Sequence, residues 1–362
     1  MNIPVYKPKL ASKTKEYVND CIESSWISSK GKYVAKFESE FSKFLNVSHS
    51  CSVTNGTVAL HLALASLGLS HNDEVITPSL TYIATVNAIN YVGAKPVLVD
   101  SDIKTWNMDI PSVERKITKK TKAILAVHLY GNPCNMSKLL ELCKRHNLFL
   151  IEDSAEAFGS KYQGRYVGTF GDVSTFSFYG NKTLTTGEGG MVVTNNDTLN
   201  EKVSYLRNQA LSSEKEYWYE EIGYNYRMTN ICAAIGLAQL EEADTIFSKK
   251  SQIAIWYTEG LKSTPLTFQA SEKNCFNSTW MVSVLTQDNQ TRDALRSFLR
   301  ERSIETRPFF NPAHKMPVYY SEDHLPNSET LSKRGLNLPS YPDLSEEEVV
   351  GVCNSIKEFF RV

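Results

Sequence analysis

Apolar runs and amphipathic segments follow one another along the first two thirds of the chain. Continuous apolar strands separated by helices indicate an α/β fold, with a mostly parallel sheet that has helices on both faces. The apolar runs that predict strands lie at residues 50–53, 74–77, 96–100, 122–129 and 148–151. The segments with helical spacing of apolar residues lie at 12–24, 34–45, 58–65, 82–92, 137–146 and 197–207.

The pattern changes near residue 245. An alanine-rich helix is predicted at residues 231–243, and the chain beyond it carries more charge. There the pattern predicts a helix at 253–261, a strand at 280–286 and a helix at 292–301. We therefore predict a large α/β domain over residues 1–245 and a smaller α+β domain over residues 246–362.

Composition restricts the class of protein. The 362 residues are 41% hydrophobic and 22% charged, with a net charge of -1, which suits a globular protein and gives no basic surface for nucleic acid. The N-terminus lacks the apolar core of a signal peptide, and no apolar run is long enough to span a bilayer. The seven cysteines are scattered without a CxxC pair, which indicates neither disulfides nor zinc. We expect a cytoplasmic protein without a nucleic-acid, membrane or metal partner.

One stretch, residues 176–195, gives the strongest indication of chemistry. It reads FSFYGNKTLTTGEGGMVVTN and holds a single lysine, Lys182, with glycines on both sides. A lysine amine becomes a carbonyl nucleophile when its surroundings lower its pKa and fix its position. Glycines leave room for a bulky group. This predicts that Lys182 binds pyridoxal phosphate as a Schiff base. The alternative is an exposed loop lysine beside a hairpin turn.

Polar residues after other predicted strands would complete a cofactor site, because ligands collect at the carboxyl ends of parallel strands. Asp153 is a candidate partner for the pyridine nitrogen, since an adjacent anion favours the protonated ring. Its alternative is a strand-end aspartate that caps a helix. Tyr82 is a candidate to stack on the ring, although an aromatic residue at a helix start is usually part of the core.

A phosphate site is predicted where the strand at 50–53 turns into the next helix. A helix N-terminus aims free backbone N–H groups at one point, which binds a phosphate without lysine or arginine. An ordinary capped helix is the alternative. The candidate phosphate contacts are Asn55, Gly56 and Thr57, with Ser177 as a further hydroxyl donor.

Seven segments in chain order carry a resemblance to a known family. They are TNGTVALHLAL (54–64), TPSLTYIATVNAI (77–89), VHLYGNP (127–133), IEDSAEAFG (151–159), FSFYGNKTLTTGEGGMV (176–192), GYNYRMTNICAAIGLAQLE (223–241) and RPFFNPAH (307–314). Over nearly its whole length the chain resembles the PLP-dependent sugar aminotransferases of the DegT/DnrJ/EryC1/StrS family. The resemblance implies a fold-type-I transferase.

The resemblance implies a role for each matching residue. Asn225 matches an asparagine that reaches the phosphate from the neighbouring subunit, which implies a homodimer, or a higher oligomer, with a shared active site. Glu156 lies where many relatives carry Gln or His beside the ring oxygen of the cofactor. A carboxylate donates there only when it is protonated. The other matches are Lys182 for the Schiff base, Asp153 for the pyridine nitrogen, Tyr82 for ring stacking, and Asn55, Gly56, Thr57 and Ser177 for the phosphate.

The implied reaction moves an amino group from L-glutamate to the 4-keto carbon of a nucleotide-linked 4-keto-6-deoxy sugar. The cofactor passes through pyridoxamine phosphate, and Lys182 would act as nucleophile, base and acid. The candidates for contacts with the nucleotide sugar are Trp26, Ser28, Lys30, Phe309 and His314.

Three other functions fit the sequence less well. A sugar 3-dehydratase of the same family carries histidine at the position of Lys182, so the lysine argues against it. An ATP-binding loop requires adjacent Gly-Lys, which the sequence Gly180-Asn181-Lys182 lacks. A non-catalytic regulator with this fold would have no use for both Lys182 and Asp153.

Overall fold

The apolar runs of the first half pair side by side as a central sheet. The computed structural model describes residues 2–362. The first nine strands are β1 (His49–Val53), β2 (Glu74–Pro78), β3 (Lys95–Val99), β4 (Thr121–Val127), β5 (Phe149–Asp153), β6 (Lys161–Tyr162), β7 (Arg165–Tyr166), β8 (Val173–Ser177) and β9 (Gly190–Thr194). All but β6 and β7 form a seven-stranded sheet in the order β1-β9-β8-β5-β4-β2-β3. The pairs from β3 through β8 are parallel, whereas β9 runs antiparallel to both of its neighbours.

Helices cover both faces of this sheet. They are α1 (Thr14–Glu23), α2 (Lys32–Leu45), α3 (Gly56–Ser66), α4 (Ile83–Tyr91), α5 (Ile110–Lys116), α6 (Met136–His146), α7 (Asp197–Arg207) and α8 (Asn230–Glu241). Successive strand residues point to opposite faces. Leu125 therefore packs in the core under α3, whereas its neighbour Ile124 packs with α6. Met191 joins α2 and α8 on that second face.

The second half forms a smaller antiparallel sheet with helices against it. Its strands are β10 (Thr267–Phe268), β11 (Cys275–Phe276), β12 (Val282–Leu285), β13 (Arg307–Pro308) and β14 (Gly335–Leu338). Its helices are α9 (Ala243–Gly260), α10 (Asn289–Glu301), α11 (Pro326–Arg334) and α12 (Glu346–Phe360). The sheet order is β10-β12-β14-β13, while β11 pairs with β6 in a separate three-stranded sheet, β11-β6-β7. Short 3-10 turns lie at Leu129–Gly131, Ala313–Lys315 and Pro317–Tyr319.

Two segments join the halves of the chain. In α9, Phe247 packs in the core with α2, whereas Tyr257 packs in the core of the smaller sheet. The N-terminal segment also joins the second half, because Ile3 pairs with Ile304 and the N–H of Val5 donates to Glu305 over 3.0 Å. Since α9 crosses residue 245, the domain boundary predicted there stays a prediction.

The predicted fold class is confirmed, and most predicted elements lie within a few residues of the observed ones. The helix predicted to begin at residue 253 begins at Ala243, and the elements that were not predicted include β8, β9, β14, α5, α11 and α12. Among residues 2–362, no helix combines the length and the apolar character that crossing a membrane requires.

Candidate active site

Lys182 lies in the loop between β8 and β9, and three contacts fix this loop. The N–H of Lys182 donates to the carbonyl of Tyr179 over 2.9 Å, which forms a tight turn. The hydroxyl of Tyr6 donates to the Lys182 carbonyl over 2.7 Å, and Nε1 of Trp280 donates to the Asn181 carbonyl over 2.6 Å. Because Tyr6 and Trp280 come from parts of the chain far from residue 182, long-range contacts fix the lysine backbone.

The Lys182 side chain is only 13% exposed, so it is not the freely exposed loop lysine of the alternative interpretation. Its Nζ lies 3.9 Å from Oε1 of Glu156 and 3.9 Å from the centroid of the Trp280 ring. Burial lowers the pKa of Lys182, and the negative charges of Glu156 and Asp153 partly oppose that shift. A buried amine with a lowered pKa is more often neutral, which is the form that attacks a carbonyl.

Asp153 is the last residue of β5, and it is buried. Its Oδ2 accepts a hydrogen bond from Oγ1 of Thr85 over 2.7 Å, and its Oδ1 accepts one from the N–H of Ala155 over 3.1 Å. Burial raises the pKa of Asp153, while these two donors lower it. A buried carboxylate held by neutral donors gains most from a cationic partner, such as a protonated pyridine nitrogen. The sequence reasoning missed Thr85.

Glu156 lies beside Lys182 and is anchored by the backbone. Its Oε2 accepts a hydrogen bond from the N–H of Tyr130 over 2.8 Å. Tyr130 has a φ of 55°, in the left-handed region that costs a non-glycine residue energy, and such strain is common where a backbone group is aimed at a site. Burial raises the pKa of Glu156 to about 7. Both protonation states are therefore populated at neutral pH, and the protonated one can donate.

The turn from β1 into α3 has the geometry of an anion site. The side chain of Asn55 accepts a hydrogen bond from the N–H of Val58 over 3.0 Å. Asn55 therefore caps α3, as in the alternative interpretation of an ordinary capped helix. The N–H groups of Gly56 and Thr57 precede the first intrahelical hydrogen bond and remain available. A Cβ on Gly56 would lie 2.7 Å from Cβ of Ser177, so glycine allows the turn and that hydroxyl to approach closely.

Tyr82 immediately precedes α4, and its side chain is 57% exposed. The ring centroid lies 5.7 Å from that of Phe310, the second aromatic residue of the RPFF segment. An exposed ring can stack against a flat ligand, whereas a core aromatic residue cannot. Tyr82 is therefore not the packed core residue of the alternative interpretation.

Several buried polar atoms around Lys182 have no hydrogen-bond partner within residues 2–362. Oδ1 of Asn181 and Oγ1 of Thr183 flank the lysine, and Oγ of Ser154 follows Asp153. Buried polar groups are normally paired, so these three atoms are available to a polar ligand. The donor set therefore fits a group that has an aldehyde, a basic ring nitrogen and a phosphate. Within the same residues, no cluster of three or more His, Cys, Asp or Glu side chains could hold a metal.

The predicted substrate residues of the 26–30 loop lie on the surface. Trp26 is 57% exposed, and Ser28 and Lys30 are exposed. This loop is held by Asn230, whose Nδ2 donates to the Trp26 carbonyl over 2.6 Å and whose backbone N–H donates to the Ser28 carbonyl over 2.7 Å. Asn225, which precedes α8, is also exposed. Asn230 was missed because nothing in the sequence distinguishes it from other asparagines.

Phe309 and His314 are both buried. The Phe309 ring centroid lies 4.6 Å from that of Tyr130, and Nδ1 of His314 lies 2.7 Å from Oγ of Ser79. Each side chain is therefore already engaged in packing or hydrogen bonding within the chain. A direct contact with substrate would require their neighbours to move, and their substrate role stays a prediction.

Comparison with known proteins identifies the family of the chain. The model of the DegT/DnrJ/EryC1/StrS aminotransferase family matches residues 8–357. The chain is 57% identical over 360 residues to the GDP-perosamine synthase of Escherichia coli O157:H7, which covers 99% of this chain and 98% of the relative. It is 49% identical over 367 residues to the GDP-perosamine synthase of Vibrio cholerae, which covers 99% of each chain.

A solved structure gives the same result for the fold. The Streptococcus pneumoniae protein Spr1654, in its PLP-form, superposes with a TM-score of 0.94 at 26% identity, over 100% of this chain and 98% of that one. The chain thus belongs to the DegT/DnrJ/EryC1/StrS aminotransferase family and is an aminotransferase. The predictions of family and enzyme class are confirmed.

Proposed function

We propose that this chain is a pyridoxal-phosphate-dependent aminotransferase that converts GDP-4-keto-6-deoxy-D-mannose to GDP-perosamine for O-antigen or related polysaccharide synthesis. The amino donor in this proposal is L-glutamate. The observation that carries it is the buried Lys182 beside Asp153 and Glu156, in a chain aligned over its full length with relatives named GDP-perosamine synthase. A relative acting on a UDP- or dTDP-linked keto sugar would share this lysine. The identity of the nucleotide sugar is therefore the part of the proposal that these residues constrain least.

Different residues would bind different parts of the cofactor. Asp153 would bind the ring nitrogen, and Tyr82 would cover one face of the ring. The N–H groups of Gly56 and Thr57, with the Ser177 hydroxyl, would bind the phosphate. When bound, pyridoxal phosphate supplies an aldehyde that carries the amino group and a protonated ring that stabilises negative charge on the substrate carbon.

Lys182 would first hold the cofactor covalently and then, as a free amine, move protons. Its lowered pKa makes the neutral amine available to remove a proton, and the ammonium that results can return it. Glu156, with a pKa of about 7, lies 3.9 Å from that amine and can exchange a proton with it or donate to the ring oxygen. The same two residues would serve both half-reactions, because the second reverses the first.

The proposed homodimer rests on exposed aromatic and apolar side chains in two segments. Trp26 and Ile27 are 57% and 50% exposed, and Trp218 and Ile222 are 47% and 85% exposed. Large exposed apolar side chains close together along the chain are typical of protein interfaces. The exposed Asn225 lies three residues after Ile222, and in this proposal it reaches the phosphate of the partner subunit.

The proposed activity is tested by assaying amine transfer from L-glutamate to GDP-, UDP- and dTDP-linked 4-keto-6-deoxy sugars. We expect turnover with the GDP sugar to exceed the others by at least tenfold. A preference for another nucleotide would refute the proposed substrate but not the proposed amine-transfer reaction. Lys182→Ala should abolish both turnover and the visible absorbance of the lysine-bound cofactor. Retention of that absorbance in the variant would refute the role of Lys182.

The shared site is tested by mixing two inactive variants, Lys182→Ala and Asn225→Ala. If Asn225 acts in the partner's site, each mixed dimer contains one site with both native residues. Random exchange of subunits should then restore about a quarter of the parent activity. If Asn225 acts within its own subunit, every site of a mixed dimer lacks one native residue, and the mixture should stay inactive even after the subunits have exchanged. A mixture that stays inactive once subunit exchange has been demonstrated would therefore refute the shared site.

A further inference from the structure

Trp280 has no role in the proposed mechanism, yet its ring faces the reacting nitrogen. Nζ of Lys182 lies 3.9 Å from the centroid of the Trp280 ring. The Trp280 side chain is buried, and it begins the segment that leads into β12. A lysine ammonium within about 6 Å of an indole centroid is attracted by the negative face of the ring, whereas a neutral amine gains little.

Contacts on every side fix the position of this ring. Nε1 of Trp280 donates to the Asn181 carbonyl over 2.6 Å, which ties the indole to the loop that it faces. The Trp280 carbonyl accepts from Nζ of the buried Lys250 over 2.8 Å. The ring of Tyr130 lies nearly parallel to the indole, at 15° and 6.2 Å between centroids. A ring held in this way cannot turn its face from Lys182 without breaking its hydrogen bond to the Asn181 carbonyl.

The other groups near Lys182 leave a separate role for the Trp280 ring as a partner of the amine. Glu156 and Asp153 are the two carboxyls whose charges act on the amine, and burial raises the pKa of each. Tyr6 contacts the Lys182 carbonyl rather than the amine. Lys250 is a second buried amine, and it contacts the backbone of Trp280 and Ser340.

We propose that Trp280 is a positioning residue that holds the ammonium form of Lys182 against the face of its indole ring whenever that amine is free. The inference rests on the proposed role of Lys182 and adds a second partner for its charged form. Because the ring favours the ammonium, it raises the pKa of Lys182 and partly offsets the effect of burial. The amine would then hold the proton that it has removed long enough to return it.

Fluorinated tryptophans test this without a change of side-chain shape. Fluorine withdraws electrons from the indole face, so mono- and trifluorinated analogues weaken the attraction for a cation stepwise. The full-length chain contains five tryptophans, and all would carry the analogue. The pKa of Lys182 is measured in the cofactor-free protein from the pH dependence of its acetylation by trace acetic anhydride, resolved by peptide mass spectrometry.

We expect the pKa of Lys182 to fall by roughly 0.3 to 1 unit from tryptophan to the trifluorinated analogue. The matched control is Trp280→Phe, in which the remaining tryptophans carry the same analogues and the pKa should not change along the series. An unchanged pKa in the parent chain, or an equal fall in the control, would overturn the inference. Either result would leave the role of Lys182 intact, because Lys182→Ala tests that role separately.

Discussion

Thr85→Val should destabilise the cofactor-free protein most where Asp153 is ionised. The hydroxyl of Thr85 donates to Oδ2 of Asp153 over 2.7 Å, and both residues are buried. Valine replaces that hydroxyl with a methyl group at nearly the same place. A hydrogen bond to a charged group contributes about 1.5–3 kcal/mol. Its loss should therefore raise the pKa of Asp153 further.

The sign of the pH dependence follows from the raised pKa. Since burial already raises the pKa of Asp153 above its unfolded value, the folded protein keeps a proton there at a pH at which the unfolded chain has released it. The free energy of unfolding falls as the pH rises through that window. Thr85→Val extends this window to higher pH, because it raises the pKa of Asp153 in the folded protein. Its cost should be small below the unfolded pKa of about 4 and reach about 1.5–3 kcal/mol above the folded pKa.

Urea unfolding at a fixed protein concentration, at several pH values from about 4 to about 8, measures this cost. Thr77→Val is the matched control, because the buried Thr77 hydroxyl donates to the neutral carbonyl of Leu125 over 3.1 Å. The cost of the control substitution should not depend on pH. A cost of Thr85→Val that is equally independent of pH would refute the argument that this hydroxyl stabilises the ionised carboxylate.

Four further substitutions test other parts of the site. Asp153→Asn should still bind the cofactor but lose most of its turnover, and near-normal turnover would refute its assigned role. Glu156→Gln should remove the ionisation near pH 7 from the pH profile of kcat/KM, since the pKa of Glu156 is about 7. Lys250→Met should remove a rise in stability between about pH 7 and pH 10, because burial lowers the pKa of Lys250 to about 7 and the unfolded lysine binds its proton up to about 10.4. Asn230→Ala should raise KM for the sugar nucleotide severalfold with less effect on kcat, if the loop that it holds contacts substrate.

The sequence was most informative where one residue type serves one purpose. Continuous apolar strands predicted the parallel sheet, because only burial on both faces explains such runs. Lys182 and Asp153 were predicted because both follow strands, at the sheet edge where ligands collect, and because the segments that contain them resemble a known family. The short β14 and the helix α5 were missed, since few residues carry their pattern and long-range packing decides their structure.

The supporting residues could not be predicted, because their significance depends on contacts between distant parts of the chain. Thr85 lies 68 positions from Asp153, and Trp280 lies 99 positions from the Asn181 carbonyl that it contacts. Each is an ordinary helix or strand-flanking residue in its local context. Phe309 was selected because it is an aromatic residue in a proline-broken loop, and its ring packs in the core, so its substrate role stays a prediction.

The two anchors of the Lys182 loop have a consequence for synthesis on the ribosome. The central sheet is complete once Thr194 has been made, but Trp280 follows much later, and the segment that carries Tyr6 pairs with Ile304. A nascent chain can therefore fold its sheet before Ile304, the pairing partner of the N-terminal segment, has been made. The lysine is fixed in place only when the last third of the chain has emerged, so an interrupted translation product would contain the lysine without its final geometry.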